Sequence, residues 1–568
     1  MSELEFDASG ERYTAQCSAD LELTAERLSN IDNWMFSGFE DVTEVTLGGA
    51  PVIIRPGVPL SSSGTDYSLS LALGEAAPDL RQGSVSRLTL KTTAEIPAQW
   101  EVHRYGLVFD LQLPLGELLA LCERGTTWSL TIVVPGGWSA ICQGDLVESR
   151  TTGSDEKAVF QRTQIVRNPG INVPVVVGPY RRLGLDLPGD FGLWLLDQDR
   201  VSEQDLIAGV TETIRHTNDV MSSEMGLPAL EKLEVVLARV PGQGSSGKGP
   251  YGMVLLEWGR ERKTGWSQDL RALMSHEICH QWFPGCVELD FMTGIWLSEG
   301  MATYFDARYL RDEWPPEKYF GMSSYEPSTY SINSASASFG TVSARDKQRV
   351  IYMRGAWVAS MLQATIGDEA FASTLKRFYT QDADRPKGSP EFRAIAEEES
   401  GLDLGRFFDE WLGKATIPKI SLEDLRVSRS AEGWLVSGVV RNTRPMPLPP
   451  ISVSVSRSGT QMGTTTVIFE ETAGEQGAQT ASFEVVAPSL FASVVLDPES
   501  TILNVPEAER RASLFFVWAG TPGLVVMYVG VPAATLTLCL MIRRRRASVK
   551  PPPQENTPCG TDTSLHRY

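Results

Sequence analysis

Residues 275–285 read Ser-His-Glu-Ile-Cys-His-Gln-Trp-Phe-Pro-Gly, so His276 and His280 stand four residues apart. On an α-helix, side chains at i and i+4 share one face, one turn apart. A helix through this stretch therefore turns both imidazoles the same way, able to grip a single ion. Glu277 lies beside the first imidazole and can reach the remaining coordination position, where a water must sit. A zinc ion lowers the pKa of its water to about 7. A neighbouring carboxylate can then take that proton and pass it to a leaving amine. The chain has only five histidines, and two of them fall in this motif. The others, His103, His216 and His566, sit in a β region, a helix and the tail, and are read as incidental.

A catalytic zinc needs a third protein ligand and an open position. The best candidate is Glu299, in Trp296-Leu297-Ser298-Glu299-Gly300-Met301-Ala302-Thr303-Tyr304-Phe305, with eighteen residues between it and His280. The segment predicts a second helix packed on the first. A carboxylate beside Trp296 and Phe305 needs a partner, because an unpaired charge among apolar groups is costly.

The pairing of HEICHQWF with WLSEGMATYF resembles the gluzincin zinc aminopeptidases, the membrane alanyl aminopeptidase and leukotriene-hydrolase group. Val350-Ile351-Tyr352-Met353-Arg354-Gly355-Ala356-Trp357-Val358 looks like that family's helix bearing a catalytic tyrosine. Phe407-Phe408-Asp409-Glu410-Trp411-Leu412 resembles the end of its catalytic domain. The likeness covers roughly residues 201–414. It implies a thermolysin-like catalytic domain holding one zinc ion on His276, His280 and Glu299. It also implies Glu277 as base and Tyr352 as hydrogen-bond donor to the oxyanion of the tetrahedral intermediate.

One departure stands out. The family carries a Gly-x-Met-Glu-Asn segment whose glutamate binds the substrate's free amine. Here the matching stretch is Ser246-Gly247-Lys248-Gly249-Pro250-Tyr251-Gly252, and Gly249 falls where the glutamate should be. The machinery for hydrolysis looks complete, while the counter-charge for an α-ammonium is missing. Gly249 and Gly252 are expected to offer backbone contacts to substrate. The family's large helical C-terminal domain is expected to be replaced by a small β domain and a span, which would leave the site more open.

A multidomain α+β chain is the expectation. Residues 1–187 read as a β-rich domain, with alternating or β-branched runs at Tyr67–Leu73, Ser86–Thr92, Leu107–Leu113 and Trp128–Val134. Residues 188–416 form the mainly helical zinc peptidase domain, with Leu206, Ile207, Val210 and Ile214 at helical spacing near its start. Residues 242–249 read as a flexible loop, and the Ser/Tyr/Pro-rich stretch 311–345 as a long loop or lid. Residues 417–508 read as a small β-sandwich.

From Ala512 to Ile542 there is no charged residue, and Arg543 to Arg546 follow at once. A bilayer span takes about 20 apolar residues, so 512–542 predicts a single transmembrane helix, with 543–568 a basic, disordered tail. Basic flanks stay cytoplasmic, which places the catalytic part outside the cytoplasm. Residues 1–24 show no charged-then-apolar signal segment. A net charge of −20 disfavours nucleic acid as a partner. Seven cysteines are too few for a disulfide scaffold; Cys122 and Cys142 could pair, and no bridge is assigned.

The expected activity is membrane-anchored zinc peptide hydrolysis of aminopeptidase type, on peptide or protein substrates. The rivals are an endopeptidase or amide hydrolase that needs no free amine, and a catalytically silent zinc-binding receptor or scaffold.

Overall fold

The computed structural model describes strand segments within 2–110 and then, with short breaks, residues 127–163, 174–196, 202–239, 246–258, 266–309, 328–381, 385–469, 478–504 and 511–519. The expected span beyond residue 519 and the basic tail lie outside the described residues, as does Cys122. Among the described residues no helix is long and apolar enough to cross a membrane.

The N-terminal region is β structure, as its alternation predicts. An eight-stranded sheet runs from Asp145–Thr152 through Asp155–Thr163, Thr127–Pro135, Ser2–Asp7, Tyr13–Thr24, Val85–Ile96 and Asp41–Leu47 to Ala50–Pro51. Two three-stranded sheets accompany it. Ser2–Asp7 lies in the interior of this sheet, pairing in parallel with Thr127–Pro135 and antiparallel with Tyr13–Thr24.

The next unit begins with a five-stranded sheet, in the order Tyr180–Gly184, Asp190–Leu196, Lys232–Arg239, Met253–Trp258 and Ser246–Lys248. Its first strand lies before residue 187, so the boundary expected there cuts a hairpin whose two strands pair with each other. The central strands are parallel. Their continuous apolar run Leu233, Val235, Val236, Leu237 and Ala238 is buried on both faces, the pattern of a sheet covered on two sides. The helix Glu203–Asp219 starts at Ser202, whose hydroxyl accepts from Asp205 N, and buries Leu206, Val210 and Ile214 against this sheet's core.

Two sequence expectations change here. Residues 242–249 were expected to be loop, but Ser246–Lys248 pairs antiparallel with Met253–Trp258 and forms the sheet's edge. The 311–345 stretch was expected to be a long loop or lid, but within it Ile332–Ala337 is a short helix. Ser331 and Ser334 form a reciprocal capping box at its start, and this local hydrogen bonding substitutes for a hydrophobic period.

Helices fill the rest of the unit: Gln268–Cys279, Phe291–Tyr309, Arg354–Ile366, Asp368–Thr380, Ser389–Ser400 and Gly405–Gly413. The Gln268 helix packs on both the Glu203 helix and the Phe291 helix, and the Phe291 helix packs on the Arg354 helix. Trp282, Trp296, Trp357 and Trp411 are all fully buried in this core.

A two-sheet β domain follows. Ile420–Ser430, Gly433–Asn442 and Gln479–Ala487 form one sheet; Thr460–Val467, Ile451–Arg457, Ser493–Leu496 and Arg511–Ser513 form the other. Ala512 pairs with Val494 and Ser513 with Ser493, and Leu514 is buried. Residues 512–514 therefore complete the β domain, although the sequence reading put them in the span. The uncharged run alone could not separate them, because a short edge strand of a small β domain can be as free of charge as the entrance of a span.

Candidate metal centre

The Gln268–Cys279 helix carries the HEICH segment. Ser267 caps it, its hydroxyl accepting from Leu270 N at 3.3 Å, which satisfies one of the donors exposed at a helix start. The helix presents Leu270, Met274 and Ile278 to the core and leaves His276 and His280 on the face toward the Phe291–Tyr309 helix. Asp290 starts that second helix, accepting from Met292 N at 3.0 Å and from the Thr293 hydroxyl at 2.8 Å.

The two helices bring the expected ligands together. Glu299 Oε2 lies 3.4 Å from His276 Nε2 and 3.5 Å from His280 Nε2. One donor atom from each of His276, His280 and Glu299 lies within 4.8 Å of the others. The two imidazole rings stand nearly perpendicular, at 88° and 4.9 Å between centroids.

Each histidine is fixed from behind through its other nitrogen. His280 Nδ1 donates to the carbonyl oxygen of Phe283 at 2.8 Å. His276 Nδ1 donates to the Asp306 carboxylate at 3.2 Å. Such outer contacts set the tautomer and aim Nε2 at the ion. Asp306 is buried and lies seven residues, about two turns, beyond Glu299 on the same helix. The sequence reading did not name it. The available signal was this repeat along one helical face, in a segment already assigned to the metal.

This donor set fits zinc. Two imidazoles and one carboxylate leave a tetrahedral ion one open position, and the ring nitrogens not aimed at the ion have hydrogen-bond partners. The electrostatics of the metal-free cluster say the same. Burial alone would make Glu299 harder to ionise, but His280 and His276 beside it hold the carboxyl well below its ordinary range. Burial also opposes charge on His276, yet the hydrogen bonds it donates to the Asp306 and Glu299 carboxylates outweigh it and raise that imidazole well above its ordinary value. A cluster arranged to stabilise positive charge between these side chains is one that a cation can occupy.

Glu277 is the buried carboxylate beside the ligands. Burial raises its pKa, with His280 and His276 offsetting part of the effect. Tyr352 sits in the widened π-helical turn Gln348–Met353, which runs into the Arg354 helix. Its ring stacks on His276 at 5.8 Å and 16°. Burial, then the charges of Glu299 and Glu277, hold its hydroxyl protonated far above the usual tyrosine range. A phenol held in that form is a hydrogen-bond donor.

The edge strand Ser246–Lys248 and the turn after it lie directly on the HEICH helix. A Cβ at Gly249 would stand 2.1 Å from the backbone oxygen of Glu277, and one at Gly247 would stand 2.5 Å from Glu277 Oε1. Only glycine allows this approach. Gln281, adjacent to His280, grips the same turn. Its Nε2 donates to the carbonyls of Pro250 at 3.1 Å and Gly249 at 3.3 Å, and its Oε1 accepts from Gly252 N at 2.6 Å. Gly252 adopts φ +81 in that turn. Gly249 and Gly252 were expected to offer backbone contacts to substrate; the Gly249 carbonyl and the Gly252 amide are engaged by Gln281. The sequence reading missed Gln281 and Gly247, since nothing in their spacing marks them.

Comparison with known proteins follows this geometry. The family model described as the Peptidase family M1 domain matches residues 253–411. Glutamyl aminopeptidase of Sus scrofa is 22% identical over 242 residues, 39% of this chain and 25% of that protein. Aminopeptidase M1 of Arabidopsis thaliana is 23% identical over 335 residues, 55% of this chain and 37% of that protein. The chain thus spans between a quarter and about two-fifths of the length of these relatives. Among solved structures, Legionella pneumophila aminopeptidase A in complex with aspartic acid is similar in fold, with a TM-score of 0.60 at 13% identity. That match covers 89% of this chain and 59% of that one.

Proposed function

We propose that this chain, whose residues 253–411 match the peptidase family M1 domain, is a zinc metallopeptidase of aminopeptidase type, acting on peptides. The observation that carries this reading is the convergence of His276, His280 and Glu299 within 4.8 Å, with the buried Glu277 beside them. The relatives named above are aminopeptidases by name, which supports the reaction class.

Zinc, when bound by these three residues, supplies Lewis-acid polarisation and makes a water acidic enough to attack at neutral pH. The protein's own part is proton handling and charge stabilisation. Glu277 takes the proton of the attacking water and returns it to the departing amine. Tyr352 donates its hydroxyl hydrogen bond to the oxyanion that forms on the former carbonyl oxygen. Asp306 and the Phe283 carbonyl keep both imidazoles oriented throughout.

Gly249 favours a second reading of the substrate. The position matched to the family's amine-binding glutamate is a glycine packed on Glu277 with no space for a side chain; on this second reading the substrate's α-ammonium has no counter-charge there and a free N-terminus is not needed. Comparing N-acetylated with free peptides separates the two. Anchoring belongs to the same proposal: the uncharged run after residue 519 and Arg543 to Arg546 fit a single span with the peptidase unit outside the cytoplasm.

The test is a pair of variants. Glu277→Gln should keep zinc and lose peptide hydrolysis by roughly 10²–10⁴-fold. His280→Ala should lose the zinc itself, read by metal analysis. Normal turnover by Glu277→Gln would overturn the mechanism.

A further inference from the structure

The β domain ends in an aromatic surface that the peptidase reading does not use. Phe491, 70% exposed, stacks on Phe515 at 5.8 Å and 13°. Phe515 contacts Phe516 and Trp518, and Trp518, 52% exposed, meets Trp434 edge-on at 6.1 Å. Phe491 belongs to the loop before Ser493–Leu496, whereas Phe515, Phe516 and Trp518 come from the short helix Leu514–Ala519. The patch is thus assembled from separate parts of the fold. Beside it lies a concavity of about 370 Å³ lined by Phe491, Phe515 and Phe516 together with Arg457 and Arg511.

We propose that this face lies on the bilayer surface, with the aromatic rings in the interfacial layer and Arg457 and Arg511 against lipid phosphates. The inference rests on the reading of residues 520–542 as a span. Several observations favour lipid over another occupant. The patch is continuous in sequence with the uncharged run, since five residues carry the chain from Trp518 to Gly523. Fully extended, they reach roughly 17 Å, so Trp518 cannot stand far from the boundary of a span that begins there. The layer between hydrocarbon and bulk water is about 5–8 Å thick on each side, and aromatic rings with an apolar body concentrate in it. Arg457 and Arg511 line the concavity beside these rings, and a guanidinium pairs well with phosphate.

The orientation has a consequence. It holds the β domain flat on the membrane rather than swinging on a flexible tether, and so fixes how far the metal centre stands above the lipid.

The test uses the full chain in phosphatidylcholine nanodiscs. A photo-crosslinking benzoylphenylalanine replaces Phe491, and, as a control, Leu402, an exposed residue of the peptidase unit. Irradiation should yield lipid adducts at 491 well above those at 402, detected by mass. In the unsubstituted side-chain background, quenching of tryptophan emission by brominated lipids should fall in Trp518→Phe. Alkaline carbonate extraction reports the span separately. A chain that resists extraction yet gives no lipid adduct at 491, or crosslinks there to a second copy of itself, overturns the proposal and leaves the span standing. A chain released by carbonate, with no adduct, removes both.

Discussion

Gly300 and Gly355 meet backbone to backbone where the helix carrying Glu299 crosses the helix that follows Tyr352. A Cβ on Gly355 would stand 3.0 Å from Gly300 Cα, and one on Gly300 would stand 2.8 Å from the Gly355 backbone. Helix axes ordinarily pack 8–10 Å apart, at a distance set by the side chains in the contact. Removing both side chains at this crossing lets the ligand-bearing and tyrosine-bearing segments approach closely.

Gly300→Ala should therefore cost activity more than stability. The methyl group must push the helices apart, an overpacking cost of about 1–3 kcal/mol, partly offset by the better helix propensity of alanine, about 1 kcal/mol. Tyr352 moves relative to Glu299, and a displacement of that kind costs about 10²-fold in turnover. Gly413→Ala, where an added Cβ has open space around it, is the matched control. Thermal melts and kcat for the two variants decide the matter. Full activity in Gly300→Ala would show that the crossing does not set the geometry of the site.

Asp306→Asn should weaken the metal without removing it. The substitution keeps the shape but replaces the charged acceptor of the His276 Nδ1 hydrogen bond. Losing an outer-shell partner costs about 10–100-fold in metal affinity. Competition with a chromophoric chelator gives the dissociation constant directly. An affinity equal to that of the unsubstituted chain would mean Asp306 does not orient the ligand.

The metal-free protein should have a distinctive pH profile. His276 is raised: burial opposes its charge, but Asp306 and Glu299 more than compensate. Its contribution is complete below the unfolded histidine value, about 6.5, and is lost as pH rises through the higher folded value. Glu299 is lowered by His280 and His276 against the effect of burial. Its contribution is present above the unfolded carboxyl value, about 4.3, and is lost as pH falls toward the depressed folded value. Both are full between roughly pH 4.5 and 6.5. The melting temperature of the chelated chain should be highest in that window and decline toward pH 9, and the decline should shrink in Asp306→Asn. Zinc must displace the proton from His276, so binding near pH 7 should release protons, measurable by calorimetry in buffers of different ionisation enthalpy. A flat melting profile from pH 5 to 9 would contradict the charge balance described.

The grouping of His276, His280 and Glu299 as candidate ligands was legible because helix periodicity is a local rule: the two histidines share a face by spacing alone, and Glu299 sits in a second helix with apolar neighbours that demand a partner. The regular alternation of the β regions was legible for the same reason. What the sequence did not reveal depends on contacts between distant segments. Asp306 matters only because one helix lies across another. Gln281 matters only because the turn 249–253 folds back onto it. Residues 246–248 looked like a loop because glycines suppress strand propensity, and they form a strand because the sheet edge pairs with them and the HEICH helix leaves no room for side chains. Residues 512–514 looked membrane-bound because they carry no charge, which a short edge strand running into the buried Leu514 shares with the start of a span.

Arg354 ties the tyrosine segment to the end of the peptidase unit. It is completely buried, two residues past Tyr352, and its guanidinium donates to the carbonyls of Trp411 at 2.9 Å, Lys414 at 2.5 Å, Ala415 at 3.0 Å and Thr416 at 3.2 Å. Trp411 lies in the last turn of the helix Gly405–Gly413 and Lys414 caps it, so these two carbonyls stand at the negative end of the helix dipole, while Ala415 and Thr416 add acceptors from the segment that follows. Together they serve as the counter-charge. Arg354→Met fills similar volume but leaves these buried carbonyls without their donor, and breaking a buried, hydrogen-bonded charge site costs about 3–5 kcal/mol. Arg354→Lys should recover little, because a single ammonium cannot span the same set of acceptors. Hydrogen exchange should show faster opening of residues 405–416 in both variants. The turn holding Tyr352 adjoins Arg354 in the chain, so kcat should drop further than KM rises. If Arg354→Met melts at the parental temperature with slow exchange at 405–416, the helix end is held by its apolar packing around Trp411 and not by the guanidinium.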